Sequence, residues 1–245
     1  MLASWNSTWS IVRCEPLSIA DLPWPVELRS HPRARRLRLS LDEPRGLLRL
    51  TIPRRVSRRA ALDWARGQAE WVAAQLATLE PSEPLVPGAS IPFDGQPLLL
   101  VWDPAAPRSP RLADDLLTCG GPAERFSFRI AAWLREQARV GLTAQTTSMA
   151  TAAGISDGPV SVGDASTRWG SCSASGAIRY NWRLILAPPE VRRFVVAHEL
   201  AHRVHLNHGA EFKALEARLY GDGVSEARSA LRRIGPRLKR VGRGH

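Results

Sequence analysis

An α+β fold is predicted for residues 25–240 by three observations. Short runs alternate apolar and polar residues as strands do, and longer segments repeat apolar residues at three-four spacing as helices do. In the second half the strands follow one another and then give way to helices, rather than alternating with them. With 245 residues and 44% hydrophobic content, the chain is long enough for one large domain or two smaller ones with a real core. The pattern divides into a smaller β-rich region with one helix, residues 25–110, and a larger domain, residues 120–240, in which helices pack on a small antiparallel sheet.

In the first region, Leu37–Leu41 and Leu47–Ile52 alternate and are separated by Glu43-Pro44-Arg45-Gly46, so they read as a hairpin. Arg36 and Arg38 then lie on the wet face of its first strand. A helix follows: Ser57 is a good N-cap, Leu62, Ala65, Ala69, Val72, Leu76 and Leu79 make the apolar stripe, and Pro81 stops it. Trp64 and Trp71 fall at helical spacing and read as packing residues. Ile91–Pro97 and Leu98–Trp102 suggest another hairpin, turned at Asp94-Gly95. Asp103–Arg111, with three prolines, reads as a loop at the domain margin.

The second half opens on a long helix from about Ala123 into the Thr146 region, with Phe126, Ile130, Trp133, Leu134 and Ala138 facing the core. Val160–Val162, Ser166–Cys172 and Ile178–Leu186 read as strands, with Ser173–Gly176 as a turn. Pro188-Pro189-Glu190 then starts a helix, since proline suits a first turn and an acid suits its dipole. Val191, Val195, His198 and His202 follow one inward stripe of that helix.

His198-Glu199-Leu200-Ala201-His202 carries the chemistry. Residues four apart on a helix lie on one face, so the two imidazoles can aim at one ion, with Glu199 beside it to take a proton from an activated water. Burying two imidazoles and a carboxylate on an apolar helix without a cation would be costly. A catalytic zinc needs a third protein ligand and one open position. His205 stays on the stripe, but the helical rise puts it about 10 Å from His198, too far to share an ion. His208 reaches the metal if the helix breaks near Asn207 and Gly209, both tolerant of the left-handed conformation. The reading is therefore a zinc hydrolase with ligands His198, His202 and His208 and Glu199 as general base. Arg168, Tyr180, His205 and Tyr220 are candidates for the oxyanion donor, and Arg168 and Asn181 for substrate orientation. Asp164, Glu211 and Glu216 are candidates to hold the ligand imidazoles by their other nitrogens.

The spacing through His208 also fits the metzincin pattern, but that pattern expects glycine where His205 stands and a methionine turn downstream, whereas Met1 and Met149 both lie upstream. A broader set of residues decides the matter: Thr167-Arg168-Trp169-Gly170-Ser171-Cys172-Ser173, Gly176-Ala177-Ile178, Asn181-Trp182-Arg183-Leu184, Pro188, the histidine helix, and Asn207-His208 with Phe212. Together they resemble the YgjP-like metallopeptidase family, and the likeness extends more weakly to Arg33-Ala34-Arg35-Arg36 and Ala60–Trp71. Lys213 and Ala230-Leu231 depart from its pattern. The resemblance implies a zincin-like catalytic domain, one Zn²⁺ on the three histidines, Glu199 as acid/base, a peptide or protein substrate, and kinship to SprT-like proteases. If the Thr167–Cys172 strand borders the cleft, its free edge can hold an extended peptide.

A zinc-dependent metallopeptidase is thus expected, with a hydrolase of a non-peptide amide or a nucleic-acid-associated protease as alternatives. A structural metal module is disfavoured because such sites rarely need a carboxylate beside the first histidine and more often use cysteine. Cys14, Cys119 and Cys172 are widely spaced, which argues against both a disulfide framework and a thiolate knuckle. No membrane span or secretory signal is visible, so a cytoplasmic protein is expected. The formal charge of +11 is uneven: residues 29–59 hold eleven arginines against Asp42 and Glu43, and six arginines and Lys239 follow Glu226 without an acid. Such a basic module can recruit nucleic acid through phosphates, although 32 arginines against two lysines also fits compositional drift.

Overall fold

The computed structural model describes residues 16–42, 45–78 and 81–243, so Cys14, the Glu43-Pro44 part of the expected turn and Leu79 lie outside the described residues. The chain divides into two compact units, one ending at Pro81 and one running from Ser82 to Arg243. Each has its own apolar core. Among the described residues no helix is long and apolar enough to cross a membrane. The fold is α+β, as the sequence predicts.

In the first unit, β1 (Val26–Ser30), β2 (Arg38–Asp42) and β3 (Leu47–Ile52) form a sheet in the order β1-β3-β2. The expected β2–β3 pair is antiparallel, and β1 adds a parallel partner that sequence reading overlooked. Its five residues are too few to stand out by alternation alone. Val26, Leu28, Leu39, Leu48, Leu50 and Ile52 share a core with Ala61, Ala65 and Val72. The single expected helix is two, α1 (Arg58–Arg66) and α2 (Ala69–Ala77), because Gly67 closes the first with its N–H bonded back to Ala65 and Asp63. Ser57 caps α1 as expected, its Oγ accepting from the Ala60 N–H at 3.2 Å. Trp64 packs on the core, but Trp71 does not follow the expectation and is 40% exposed.

The second unit begins with β4 (Ser90–Phe93), β5 (Gln96–Trp102), β6 (Arg111–Ala113) and β7 (Leu116–Cys119), ordered β4-β5-β7-β6. Asp94 and Gly95 turn the first hairpin with φ of 49° and 77°, the left-handed pair that matches strand twist. The β6–β7 hairpin was not foreseen, since its short strands leave little apolar pattern. Ile91, Leu98, Leu100 and Leu117 enter the same core as α3 (Phe126–Ala152), so the sheet spanning residues 90–119 belongs with the second unit. Phe126, Ile130, Leu134 and Ala138 line the buried side of α3 as expected.

A third sheet, β8 (Val160–Gly163), β9 (Gly170–Cys172) and β10 (Ile178–Asn181), runs in the order β8-β10-β9. It is mixed rather than purely antiparallel: β9–β10 is a hairpin, whereas β8 pairs parallel to β10 because residues 164–169 carry the chain to the other side of β10. Ser166–Trp169 therefore stay outside the strand expected there. Trp182–Leu186 coil into a buried 3-10 turn instead of prolonging β10. A short continuous apolar run does not distinguish the two, and Asn181 decides it by accepting the Arg183 N–H on its Oδ1 at 2.9 Å. The chain closes with α4 (Pro189–Ala201), α5 (Ala210–Tyr220) and α6 (Val224–Leu238), and α4 packs against α3, β9, α5 and α6.

Candidate metal centre

Helix α4 starts as the sequence predicts, with Pro188 at its cap and Glu190 in its first turn, and buries Val191, Val195, Leu200 and Ala201. His198 and Glu199 stand in its last turn and His202 ends it. The chain leaves the helix there, earlier than expected, with the His205 N–H still bonded to the Ala201 carbonyl at 2.9 Å. Neither Asn207 nor Gly209 takes up a left-handed conformation; Gly209 is the cap of α5, at φ −71° and ψ −170°. The reversal nonetheless returns His208 to the helix. One ligating atom from each of His198, His202 and His208 lies within 4.8 Å of the others, so the three can hold a metal ion.

Two of these rings are held from behind. His198 Nδ1 meets Glu216 Oε1 at 2.7 Å, and the second oxygen of this buried carboxylate accepts from Arg228 Nη2 at 2.6 Å. His202 Nδ1 meets the His205 carbonyl at 3.1 Å, which fixes that nitrogen as the donor. In the neutral form of either ring, Nε2 is then the nitrogen free to ligate. His198 Nε2 stands 3.4 Å from His208 Nε2. Tetrahedral ligation at metal–nitrogen distances of 2.0–2.1 Å requires a separation of about 3.3 Å, so this pair fits a shared ion. Phe212, fully buried, packs under all three rings at centroid distances of 5.2, 4.5 and 4.7 Å. Burial lowers the His198 pKa despite the opposing pull of Glu216, favouring the neutral, ligating form.

Glu199 is only 5% exposed, and burial pushes its carboxyl up to about 7, with Arg168 pulling the other way. Its neighbour is the backbone of β9: a β-carbon on Gly170 would fall 2.4 Å from Glu199 Oε1 and 2.6 Å from its Cδ. Only glycine lets the strand come this close. A cavity of about 290 Å³ opens alongside, lined by Arg168, Trp169, Phe194, His198, Glu199 and Leu231. β9 is the edge of its sheet, with β10 as its one partner strand. Cys172, at its end, is a half-buried free thiol.

The remaining sequence candidates separate. Arg168 is exposed at the cavity mouth, without an ion pair to any described carboxylate. Tyr180 is buried with its hydroxyl 3.1 Å from Thr146 Oγ1, and Thr146 donates in turn to the Leu142 carbonyl at 2.7 Å. Asn181 donates to the Ala165 carbonyl at 2.7 Å besides capping the 3-10 turn, so both of its polar ends are engaged in the fold. His205 turns its ring toward Glu211, 3.6 Å away, and serves the cluster through its carbonyl. Tyr220 packs edge-on against Phe194 at 5.9 Å and lines a different depression with Glu190 and Glu226. Of the three carboxylates considered as supports, Glu216 alone reaches one of the three clustered imidazoles; Asp164 pairs with Arg183 and Glu211 with His205.

Sequence reasoning missed Gly170, Arg228 and Arg203. Gly170 left a signal, since a glycine inside a strand often marks a close approach. Arg203 follows His202, is almost wholly buried, and donates to the carbonyls of Gly176 at 2.9 Å, Ser156 at 3.2 Å and Gly158 at 2.9 Å.

A family model described as YgjP-like, metallopeptidase domain, matches residues 35–234, so the chain belongs to the YgjP-like metallopeptidase family. No curated protein and no solved structure matches the chain.

Proposed function

We propose that this member of the YgjP-like family is a zinc-dependent metallopeptidase, with His198, His202 and His208 holding the ion and Glu199 as general base. The observation that carries the reading is the convergence of three ring nitrogens beside a buried carboxylate, at the unpaired edge of a sheet. An all-imidazole set, with one pair already at tetrahedral spacing, suits zinc among the common metals. When bound, zinc polarises a scissile carbonyl and makes water acidic enough to ionise near neutrality.

The chain's own groups do the rest. Glu199, whose carboxyl burial pushes up toward neutrality in the metal-free site, accepts a proton from the attacking water and returns it to the departing amine. The outer edge of Gly170–Cys172 offers main-chain hydrogen bonds to an extended peptide, which a small non-peptide amide does not need. Arg168, free at the mouth, is the sequence candidate best disposed to donate to the developing oxyanion, since Tyr180 and Asn181 are engaged in the core.

Metal analysis of the purified chain, with peptide-library cleavage by the native protein and by Glu199→Gln, tests this. One zinc per chain and cleavage lost in the glutamine variant with zinc retained are expected. Full turnover by that variant overturns the role of Glu199, and hydrolysis of small amides without peptide cleavage overturns the peptidase reading.

A further inference from the structure

Nine arginines gather at one end of the N-terminal sheet. Strands β1 and β3 run parallel and β2 runs against them, so the ends of β1 and β3 lie beside the start of β2, with Arg29 and Arg38 flanking Thr51 in register. The chain leaves β1 at this end through a connection carrying Arg33, Arg35 and Arg36. It leaves β3 through Arg54 and Arg55 into α1, which opens with Arg58 and Arg59. All nine are exposed, and residues 28–41 and 50–62 contain no aspartate or glutamate.

The arrangement is unfavourable by itself. Of the nine, Arg29 alone pairs with a described carboxylate, Glu27 Oε2 at 3.0 Å. That carboxylate is buried and also receives Arg45 Nη1 at 2.9 Å. It fixes the Arg29 guanidinium through Nε and leaves the terminal nitrogens to face outward partners. The first turn of α1 holds two arginines and no acid, the reverse of what the helix dipole favours. Repelling cations on two strands, two connections and a helix start are all relieved by the same thing, a run of anions.

We infer that this end of the N-terminal sheet docks the phosphate backbone of a nucleic acid, without reading its bases. β1 and β2 lie about 10 Å apart across the sheet, too wide for one phosphate group to bridge and suited to a repeating one. Guanidinium forks match phosphate oxygens two at a time. A lipid surface fits less well, because membrane docking adds inserting apolar side chains to the cations, and none of the exposed large hydrophobic residues falls within residues 28–59.

The test is fluorescence anisotropy of the full chain with a labelled duplex DNA and a labelled single-stranded RNA. It compares R35Q/R36Q/R54Q/R55Q with a variant of equal charge loss elsewhere, R111Q/R125Q/R218Q/R232Q. If four phosphates are neutralised by the substituted residues, raising salt from about 50 to about 200 mM weakens native binding by roughly 150-fold. The patch variant should bind weakly, with a log–log salt slope shallower by about 3.6, at an unchanged melting temperature, while the second variant behaves as native. DNA and RNA binding in that pattern both support the assignment. Equal losses in the two variants, no binding to either nucleic acid, or binding only to phosphatidylglycerol vesicles would overturn it.

Discussion

Replacing Glu199 by glutamine should stabilise the metal-free protein, by an amount set by pH. The carboxyl is buried, no described residue donates a hydrogen bond to it, and its pKa rises from 4.5 to about 7. A carboxyl raised in this way holds its proton more tightly folded than unfolded. Stability therefore falls as pH climbs from 4.5 toward 7, and above that the full cost of burying the charge is present. Two and a half pH units at ~1.4 kcal/mol each come to roughly 3 kcal/mol. Glutamine has the same shape and cannot ionise, so it escapes that cost. For a unit of this size the gain corresponds to roughly 6–12 °C in melting temperature. The assay is thermal melting with a chelator present, at about pH 4 and about pH 8.5. Any packing penalty of the amide is common to both, so the change between them is the readout. An identical native-minus-variant difference at both pH values would refute the reasoning.

Other perturbations act on neighbouring parts of the same site. Glu216→Gln takes the charged acceptor from His198 Nδ1, and retention of zinc against a competing chelating dye should fall about 10- to 100-fold. Gly170→Ala drives a methyl into the Glu199 carboxylate, so kcat/KM should drop on the order of 100-fold with zinc content unchanged. Phe212→Ala empties the floor beneath the three imidazoles and should cost about 3–5 kcal/mol in chemical denaturation.

What could be read beforehand was set by local rules. The helix with His198, Glu199 and His202 was legible because four-residue spacing places side chains on one face whatever surrounds them. Likewise Asp94-Gly95 announced its hairpin through the backbone it requires. The place where the chain turns back was not legible. Asn207 and Gly209 permit a left-handed turn without demanding one, and the actual reversal follows His202. Tyr180 and Asn181 looked available because sequence does not reveal that Thr146 and Ala165, distant along the chain, take up their polar ends. Glu216 was among three acids of equal standing by spacing; only the packing of α5 on α4 brings it to His198.

Arg203 has one more implication. Because its guanidinium is clasped by three peptide oxygens, the clamp joining the exit of the histidine helix to the β9–β10 turn and the approach to β8 is made to main chain rather than to side chains. Acid leaves those carbonyl acceptors unprotonated, and mutational drift at 156 would leave its oxygen in place, whereas a β-carbon at 158 would come within 3.3 Å of Arg203 Nη2 and 176 holds a φ of 79° that favours glycine. The distance between the rail where a polypeptide would lie and the point where it would be cut is thereby held by covalent chain on one side and by a single cation on the other.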